Sequence, residues 1–289
     1  MSQVVCRVNS YDRLGEGPCW DARAGRLYWF DIKRLKLHGF EPESGRTQEW
    51  PLPVQSSAAA PREAGGLVLA TNQGLALFDP DRGSFHLHHP LQAPEGFRVN
   101  DGKIDVAGRL WWSHMHDEGG REPGKVFCTG PEWTTRVAVD AIHIANAVSC
   151  SPDGRTFYLA NSAEQTLYAY DLDPGPGELS NRRVFADTKG EDGAPDGAAV
   201  DIEGFLWSVQ WGAARIVRYA PDGRIDGIVE MPVEQPSSCA FGGPELRTLF
   251  VTSAWDGLSD AKRAAQPLAG SLFSFEPGVQ GLALPRFRG

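Results

Sequence analysis

The sequence predicts an all-β fold, a six-bladed β-propeller with four antiparallel strands in each blade. Three observations lead to this prediction. A turn followed by an apolar strand occurs six times, at intervals of about 41 to 50 residues, which is a period typical of propeller blades. The 33 glycines and 21 prolines are spread along the chain, which favours many short strands. Helical patterns are scarce, and the best amphipathic candidate is the short segment 259–265.

The six repeated units share a turn containing Asp, Gly or Pro and a following run of aromatic and branched residues. They cover residues 21–29, 62–69, 105–112, 151–158, 201–209 and 243–250. A second apolar strand follows each unit, so each repeat is predicted to be a meander of antiparallel strands. Six meanders account for the whole length, and we expect a single domain over residues 1–289. The longest insertions, 173–179 and 256–268, are expected to lie between strands.

Charge and composition exclude several classes of partner. The net charge is −9 and the pI is about 5.3, which argues against nucleic acid and anionic membranes as partners, because both attract basic surfaces. No apolar run is long enough to be a signal peptide or membrane span. The five cysteines are widely spaced and odd in number, which indicates free thiols. We expect a cytoplasmic protein; a monomer is plausible, although the sequence leaves the oligomeric state undetermined.

Polar residues interrupt the repeat pattern at four places. In a propeller the inner strands converge on a central channel, so residues just before those strands can meet although they are distant in sequence. Function is therefore expected from a sparse set of residues that several repeats supply. The four stretches are residues 14–18, 98–103, 144–148 and 195–197.

Three of these stretches carry oxygen donors: Glu16, Asn146 and Asp196. Each alone could be an ordinary turn or capping residue. Together, two carboxylates, an amide oxygen and a few waters suit one divalent cation that prefers oxygen ligands, with Ca²⁺ first and Mg²⁺ or Mn²⁺ next. Zn²⁺ or Fe²⁺ could occupy the same site, although ligation by oxygen alone does not select for them.

Seven segments, in the same order along nearly the whole chain, carry a resemblance to a known family. They are residues 15–18, 28–32, 98–103, 144–146, 180–183, 195–197 and 237–243. On these segments the chain resembles the SMP-30/gluconolactonase/LRE (regucalcin-like) family of sugar lactonases. The resemblance implies a six-bladed propeller with a metal-dependent lactonase activity, which agrees with the number of repeats counted independently.

The resemblance also implies roles for individual residues. The implied metal ligands are Glu16, Asn146 and Asp196. Asp196 is additionally the implied general base, and Arg98 and Asn100 match the substrate-binding pair. Glu118 falls where some members have a further acid that contacts substrate.

Two departures from the family pattern leave the substrate open. Ala147 follows Asn146 where the family often has glycine, and His114-Met115-His116 replaces a common Gly-Thr-Met. The two histidines lie at alternate strand positions and could form a second metal site with Asp117. We favour a simpler interpretation, a strand end whose histidines form local hydrogen bonds or line the pocket.

The leading hypothesis is a metal-dependent hydrolase that opens a sugar lactone, such as gluconolactone, arabinonolactone, xylonolactone or galactonolactone. If the protein is an enzyme, phosphotriesterase or arylesterase activity is the alternative to lactone hydrolysis. A calcium-binding or interaction propeller without turnover is the alternative from another class. Arg98 beside Asn100 favours an enzyme, because an ion-binding scaffold has no need of a guanidinium that steadies an anion. No Gly-x-Ser-x-Gly motif occurs, which weakens a serine esterase.

Overall fold

The structure, a computed structural model, describes residues 2–289. Within this range the chain forms 24 strands, arranged as six four-stranded antiparallel sheets, and very little helix. The sheets are the blades of a propeller, so the predicted fold class and blade number are confirmed. Blades 1 to 5 each use four consecutive strands, whereas the last blade takes its outermost strand from the N-terminus.

The strands are numbered in chain order. The N-terminal strand is β1 (Val5–Val8). Blade 1 contains β2 (Gly15–Asp21), β3 (Arg26–Asp31), β4 (Lys36–Glu41) and β5 (Arg46–Pro51). Blade 2 contains β6 (Ser56–Pro61), β7 (Leu67–Thr71), β8 (Gly74–Asp79) and β9 (Ser84–Pro90). Blade 3 contains β10 (Phe97–Ile104), β11 (Leu110–His116), β12 (Gly124–Thr129) and β13 (Thr135–Ile142). Blade 4 contains β14 (Ala145–Cys150), β15 (Thr156–Asn161), β16 (Thr166–Leu172) and β17 (Leu179–Asp187). Blade 5 contains β18 (Ala194–Val200), β19 (Leu206–Trp211), β20 (Arg215–Tyr219) and β21 (Ile225–Glu230). Blade 6 contains β22 (Pro236–Gly242), β23 (Thr248–Ser253) and β24 (Leu272–Phe275), with β1 at its outer edge.

The two ends of the chain close the ring. Strand β1 pairs with β24 in antiparallel register, with Val5 opposite Ser274 and Cys6 opposite Phe273. The innermost strands are β2, β6, β10, β14, β18 and β22, and each packs against the next around the axis. These six strands therefore line the central channel.

The repeated turn of the sequence joins the first and second strands of each blade, and in blades 3 and 5 an aspartate holds it. In blade 5, Asp201 Oδ1 accepts hydrogen bonds from the backbone N–H groups of Glu203 and Phe205, both at 3.0 Å. Its Oδ2 accepts from Trp207 Nε1 at 2.9 Å. In blade 3, Asp105 Oδ2 accepts from Trp111 Nε1 at 2.8 Å in the same way. A buried carboxylate with all these partners is satisfied, so this Asp and Trp spacing is structural.

The hydrophobic core lies between neighbouring blades. One cluster joins Trp207 of blade 5 to Val251 and Phe273 of blade 6, and another joins Phe30 of blade 1 to Leu69 of blade 2. All five side chains are essentially inaccessible to solvent. Since burial of each large apolar side chain contributes about 1.5–3 kcal/mol, contact between the blade faces stabilises the ring.

Both long insertions lie between strands, as predicted. Residues 173–178 connect β16 to β17, and residues 254–271 connect β23 to β24. The second insertion contains the only α-helix among residues 2–289, α1 (Asp260–Ala265). The Ser259 side chain caps this helix by accepting a hydrogen bond from the Lys262 N–H at 3.3 Å. Within the described part of the chain, no helix is both long and apolar enough to cross a membrane.

The C-terminal segment, residues 276–289, crosses one end of the channel. Near blade 5 the Ile202 N–H donates to Gln280 O at 2.9 Å. Farther along, the Phe287 N–H donates to Pro61 O in blade 2 at 2.8 Å, and the Phe287 side chain is fully buried. The segment therefore fastens together blades that are far apart around the ring.

Candidate functional site

The polar stretches found in the sequence form the innermost strands of four blades. Glu16 lies on β2, Arg98 and Asn100 on β10, Asn146 on β14 and Asp196 on β18. The prediction that these residues lie just before the inner strands is therefore wrong in detail. They are within the strands, near the N-terminal end of each, and they therefore lie towards the same end of the channel.

A β-bulge occurs in each of these four strands, directly after Glu16 and Asn146 and across Asn100 and Asp196. The pairing register shifts between Glu16 and Cys19 in β2 and between Pro195 and Ala198 in β18, and β10 and β14 have corresponding shifts. A bulge leaves residues outside the regular ladder and can redirect a side chain. The bulges thus allow polar side chains to project from the inner strands without breaking the sheet.

Glycine beside each carboxylate allows close contact between blades. A Cβ atom on Gly197 would lie 2.0 Å from Ser238 Oγ and 2.7 Å from Ser238 Cα on the next blade. Gly17 has φ +58°, and a Cβ atom there would lie 1.8 Å from Ser57 O. Any side chain would therefore clash with a neighbouring innermost strand. The Glu-Gly and Asp-Gly pairs place the carboxylates where adjacent strands pack most closely.

A chain of hydrogen bonds connects blades 3, 4 and 5. Arg98 Nη1 donates to Asn100 Oδ1 at 2.6 Å, and Asn100 Nδ2 donates to Asn146 Oδ1 at 2.7 Å. Asn146 Nδ2 donates to Ser162 Oγ at 2.9 Å, and this hydroxyl donates to Pro195 O at 2.6 Å. These contacts orient both amides. The Oδ1 atom of Asn146 has two lone pairs and uses one on Asn100, which leaves the other available to a ligand.

Glu16 and Asp196 are both buried, with 6% of each residue exposed, and they interact electrostatically. Burial raises the pKa of Glu16 to about 8, and the charge of Asp101 adds to the shift. Burial, and then the charge of Glu16, raise the pKa of Asp196 well above its ordinary value. Two buried carboxylates close to one another are costly to ionise, so this part of the channel favours a bound cation.

Asp101 is a third buried carboxylate, but it is already engaged by the backbone. Its Oδ1 accepts from the Gly102 N–H and its Oδ2 from the Val148 N–H, both at 2.8 Å. Burial raises its pKa as well, while the charge of Lys103 acts in the opposite direction. Asp101 therefore joins blades 3 and 4 and adds negative charge to the channel.

Lys103 extends from blade 3 across the channel. Its Nζ donates to Ala198 O on β18 and to Cys239 O on β22, the second at 3.3 Å. The charge of Lys103 lowers the pKa of Glu16, against the larger effect of burial. The ammonium thus partly balances the carboxylates and connects three innermost strands.

Asp117 holds Arg98 in position. Arg98 Nε donates to Asp117 Oδ1 at 2.7 Å, and Lys33 Nζ contacts both Asp117 oxygens at 2.6 and 2.7 Å. Burial alone would raise the pKa of Asp117, but the hydrogen bond from Lys33 and the charge of Arg98 lower it below its ordinary value. The sequence had indicated Asp117 only as a neighbour of two histidines. No local pattern could reveal this contact, since Lys33 is 84 residues away.

Glu118 is not part of this network. Its side chain is 73% exposed and forms a salt bridge of 3.2 Å with Arg121. The structure brings together Glu16, Arg98, Asn100, Asn146 and Asp196, and it leaves Glu118 in the exposed turn after β11. A substrate contact from Glu118 stays a prediction.

His114 and His116 both lie on β11 and are buried. The Nδ1 atom of His116 accepts from the Glu118 N–H at 3.2 Å. His114 packs edge-on against Trp112 and Phe127, and burial lowers its pKa to about 4. Among residues 2–289, no group of three or more His, Cys, Asp or Glu side chains is arranged to hold a metal ion. The hydrogen bond of His116 is the local contact expected if these histidines lie at the end of a strand and do not bind a second metal ion.

The residues near Glu16 fit one divalent cation. An ion there would be held by the carboxylates of Glu16 and Asp196 and by Asn146 Oδ1, with waters completing the coordination. The positive charge would favour the ionised form of both carboxyl groups and so oppose the effects of burial and of neighbouring negative charge that raise their pKa values.

The fold and the site together define a class of protein, a six-bladed propeller with a candidate cation site lined by oxygen atoms in its channel. The model of the SMP-30/Gluconolactonase/LRE-like region matches residues 14–255, and the chain belongs to this family. It is 34% identical over 290 residues to the 6-deoxy-6-sulfogluconolactonase of Pseudomonas putida, covering 99% of each protein. It is 36% identical to the L-arabinolactonase of Azospirillum brasilense, covering 99% of this chain and 96% of the relative. The crystal structure of regucalcin from Agrobacterium tumefaciens, described as a calcium-binding protein, superposes with a TM-score of 0.95 at 32% identity, covering 100% of this chain and 98% of that one.

Proposed function

We propose that this protein is a divalent-metal-dependent hydrolase that opens a sugar lactone to the corresponding aldonic acid. The observation that carries the proposal is one connected set of groups in the channel. Asn146 Oδ1 is oriented by Asn100 and Arg98, and the buried carboxylates of Glu16 and Asp196 interact nearby. Relatives that match nearly the whole chain bear the names of sugar lactonases.

Glu16, Asn146 and Asp196 are the metal ligands in this proposal, and Ca²⁺ is the expected ion. Their oxygen atoms are hard donors, which Ca²⁺, Mg²⁺ and Mn²⁺ prefer, and Zn²⁺ or Fe²⁺ remain alternatives for the assay below. The regucalcin whose structure superposes on this chain is described as calcium-binding, which supports the first choice. A bound divalent cation supplies positive charge that polarises the lactone carbonyl.

The side chains around the ligands supply the remaining chemistry of ester hydrolysis. Water adds to the carbonyl carbon, the bond from that carbon to the ring oxygen breaks, and the ring oxygen takes a proton to become a hydroxyl. Asp196, held as a carboxylate when the cation is bound, takes the proton of the attacking water as general base. The Arg98 guanidinium steadies the carboxylate that forms.

Selection among sugars falls to groups that bind hydroxyls. Asn100 lies within the hydrogen-bonded network, and Glu118 is exposed in the turn that follows β11. A buried polar group such as Asn100 that pairs with a substrate hydroxyl rejects analogues that lack the hydroxyl. Gluconolactone, arabinonolactone, xylonolactone and galactonolactone are the compounds to compare, since their hydroxyl stereochemistry differs.

The test measures acid release from these four lactones with a pH indicator. The assay uses protein treated with a chelator and then supplied with Ca²⁺, Mg²⁺, Mn²⁺, Zn²⁺ or Fe²⁺ separately. Turnover should require the metal, and Asp196→Ala should abolish it. Asp222→Asn, which changes an exposed turn carboxylate of the same blade, should leave turnover unchanged. A wild-type protein that binds Ca²⁺ but releases no acid from any lactone would instead indicate a calcium-binding propeller without this activity.

A further inference from the structure

A cavity of about 430 Å³ lies at the end of the channel away from Glu16 and Asp196. The later residues of all six innermost strands line it, together with residues 280–286 of the C-terminal segment and the turn residues Ala22, Pro244 and Leu246. Sites for small molecules typically have volumes of about 300–1,000 Å³. The cavity is thus large enough for a ligand, and none of the residues of the proposed lactonase site lines it.

The cavity exists because every innermost strand supplies a small residue there. These residues are Cys19, Ala59, Gly102, Ser149, Ala199 and Ala240. Larger apolar side chains complete the wall, among them Ile104, Phe241 and Leu282. Leu284, on the C-terminal segment, is 39% exposed and gives the cavity an apolar rim. The surface is therefore suited to an apolar chain.

The charged residues of the cavity are both positive. They are Lys103 and Arg286, and no Asp or Glu is among the residues that line it. Arg286 is paired with Asp21. Lys103 Nζ donates to the backbone oxygens of Ala198 and Cys239. An ammonium has three N–H donors, so Lys103 has one left for an acceptor. Lys103 partly balances the charge of Glu16 and Asp101, but no carboxylate among residues 2–289 is hydrogen-bonded to it, so its remaining N–H donor can bind one anionic group at the cavity wall.

We propose that this cavity binds a monocarboxylate with an unbranched apolar chain, its carboxylate beside Lys103 and its chain extending towards Leu284. A water molecule occupies about 30 Å³, so the cavity has room for about 14 non-hydrogen atoms. A chain of about six to ten carbons fits this space. The site is separate from the candidate lactonase site, and the proposal does not depend on the proposed function.

Isothermal titration calorimetry with sodium octanoate tests the proposal on the intact protein, with acetate and 1-octanol as matched probes. We expect saturable binding of octanoate to one site, at least tenfold weaker binding of 1-octanol because it lacks the charge, and no detectable binding of acetate. Absence of octanoate binding at millimolar concentration would overturn the proposal. Equal binding of 1-octanol would overturn the role of Lys103.

Substitutions that fill the cavity test whether octanoate binds there. Ala59→Leu and Ala240→Leu place larger side chains in its wall, and each should weaken octanoate binding at least tenfold. Ala24→Leu, in an exposed turn outside the cavity, should bind octanoate as the wild type does. If the folded cavity variants bind octanoate as tightly as the wild type, octanoate does not bind in this cavity.

A second measurement on the wild type covers the case in which the cavity variants fail to fold. Octanoate should slow the modification of Cys19, which is half-buried and lines the cavity, by a small thiol reagent, as followed by mass spectrometry. Burial raises the pKa of Cys19 to about 12, so the reaction is run at about pH 9 and the rate without octanoate is established first. Cys6, on β1, provides the internal control. A measurable rate at Cys19 that octanoate leaves unchanged would contradict the proposal.

Discussion

Glu16→Gln should change how the stability of the metal-free protein depends on pH. In the folded chain, burial and the charge of Asp101 raise the pKa of Glu16 from 4.5 to about 8. The folded state therefore binds a proton more tightly than the unfolded state does. This contribution to stability is complete below pH 4.5 and is lost as the pH rises through 8. Glutamine is neutral at every pH, so Glu16→Gln lacks this pH-dependent contribution to stability.

The size of the effect follows from the two pKa values. With 4.5 unfolded and about 8 folded, protonation of Glu16 adds about 3 kcal/mol to the free energy of unfolding at pH 6 and almost nothing at pH 9. At an unfolding entropy of about 2.1 cal/mol/K per residue, this difference corresponds to about 5 °C in Tm. The wild-type Tm should thus fall between pH 6 and 9 by about 5 °C more than that of Glu16→Gln.

Differential scanning calorimetry in the presence of a chelator measures this difference. Glu245→Gln, in an exposed turn, is the matched control and should follow the wild type. Added Ca²⁺ should remove much of the pH effect in the wild type, because the cation takes the place of the proton. Identical pH dependence of the wild type and Glu16→Gln without metal would refute the reasoning on the buried carboxylates.

Three other substitutions test separate contacts. Asp117→Asn removes the charged partner of Arg98 and Lys33, so kcat/KM of the folded variant on the preferred lactone should fall about 10- to 100-fold; equal kinetics would show that Asp117 does not position Arg98. Gly197→Ala forces a clash with the backbone of Ser238 and should cost about 1–3 kcal/mol in urea unfolding; an unchanged midpoint would count against that close packing. Phe287→Ala should cost about 3–5 kcal/mol in the same assay; a loss below 1 kcal/mol would mean that the C-terminal segment contributes little.

The number of blades could be predicted because one local pattern recurs in each. Asp105 with Trp111 and Asp201 with Trp207 form the same contact within a few residues, so the turn and second strand are visible in the sequence. The innermost strands were not recognised as strands. Residues 56–61 and 194–200 are rich in Ala, Ser, Gly and Pro and lack apolar alternation, because strands that approach the axis closely must have small side chains.

The candidate site was predicted only in part. Glu16, Asn146 and Asp196 stood out as oxygen donors among small residues, and the resemblance to a family supplied their proposed roles. Ser162 and Lys33 were missed, since each joins the network through contacts between distant segments. Sequence patterns record local periodicity, whereas these contacts depend on how the blades are placed around the ring.

A diffraction experiment at the manganese absorption edge tests the central claim most directly. Crystals of the protein grown with Mn²⁺ should show one anomalous peak about 2.0–2.6 Å from oxygens of Glu16, Asn146 and Asp196, and the peak should be lost in Asp196→Ala. A peak bound by other residues, or none in a crystal that contains millimolar Mn²⁺, would contradict the proposed metal site.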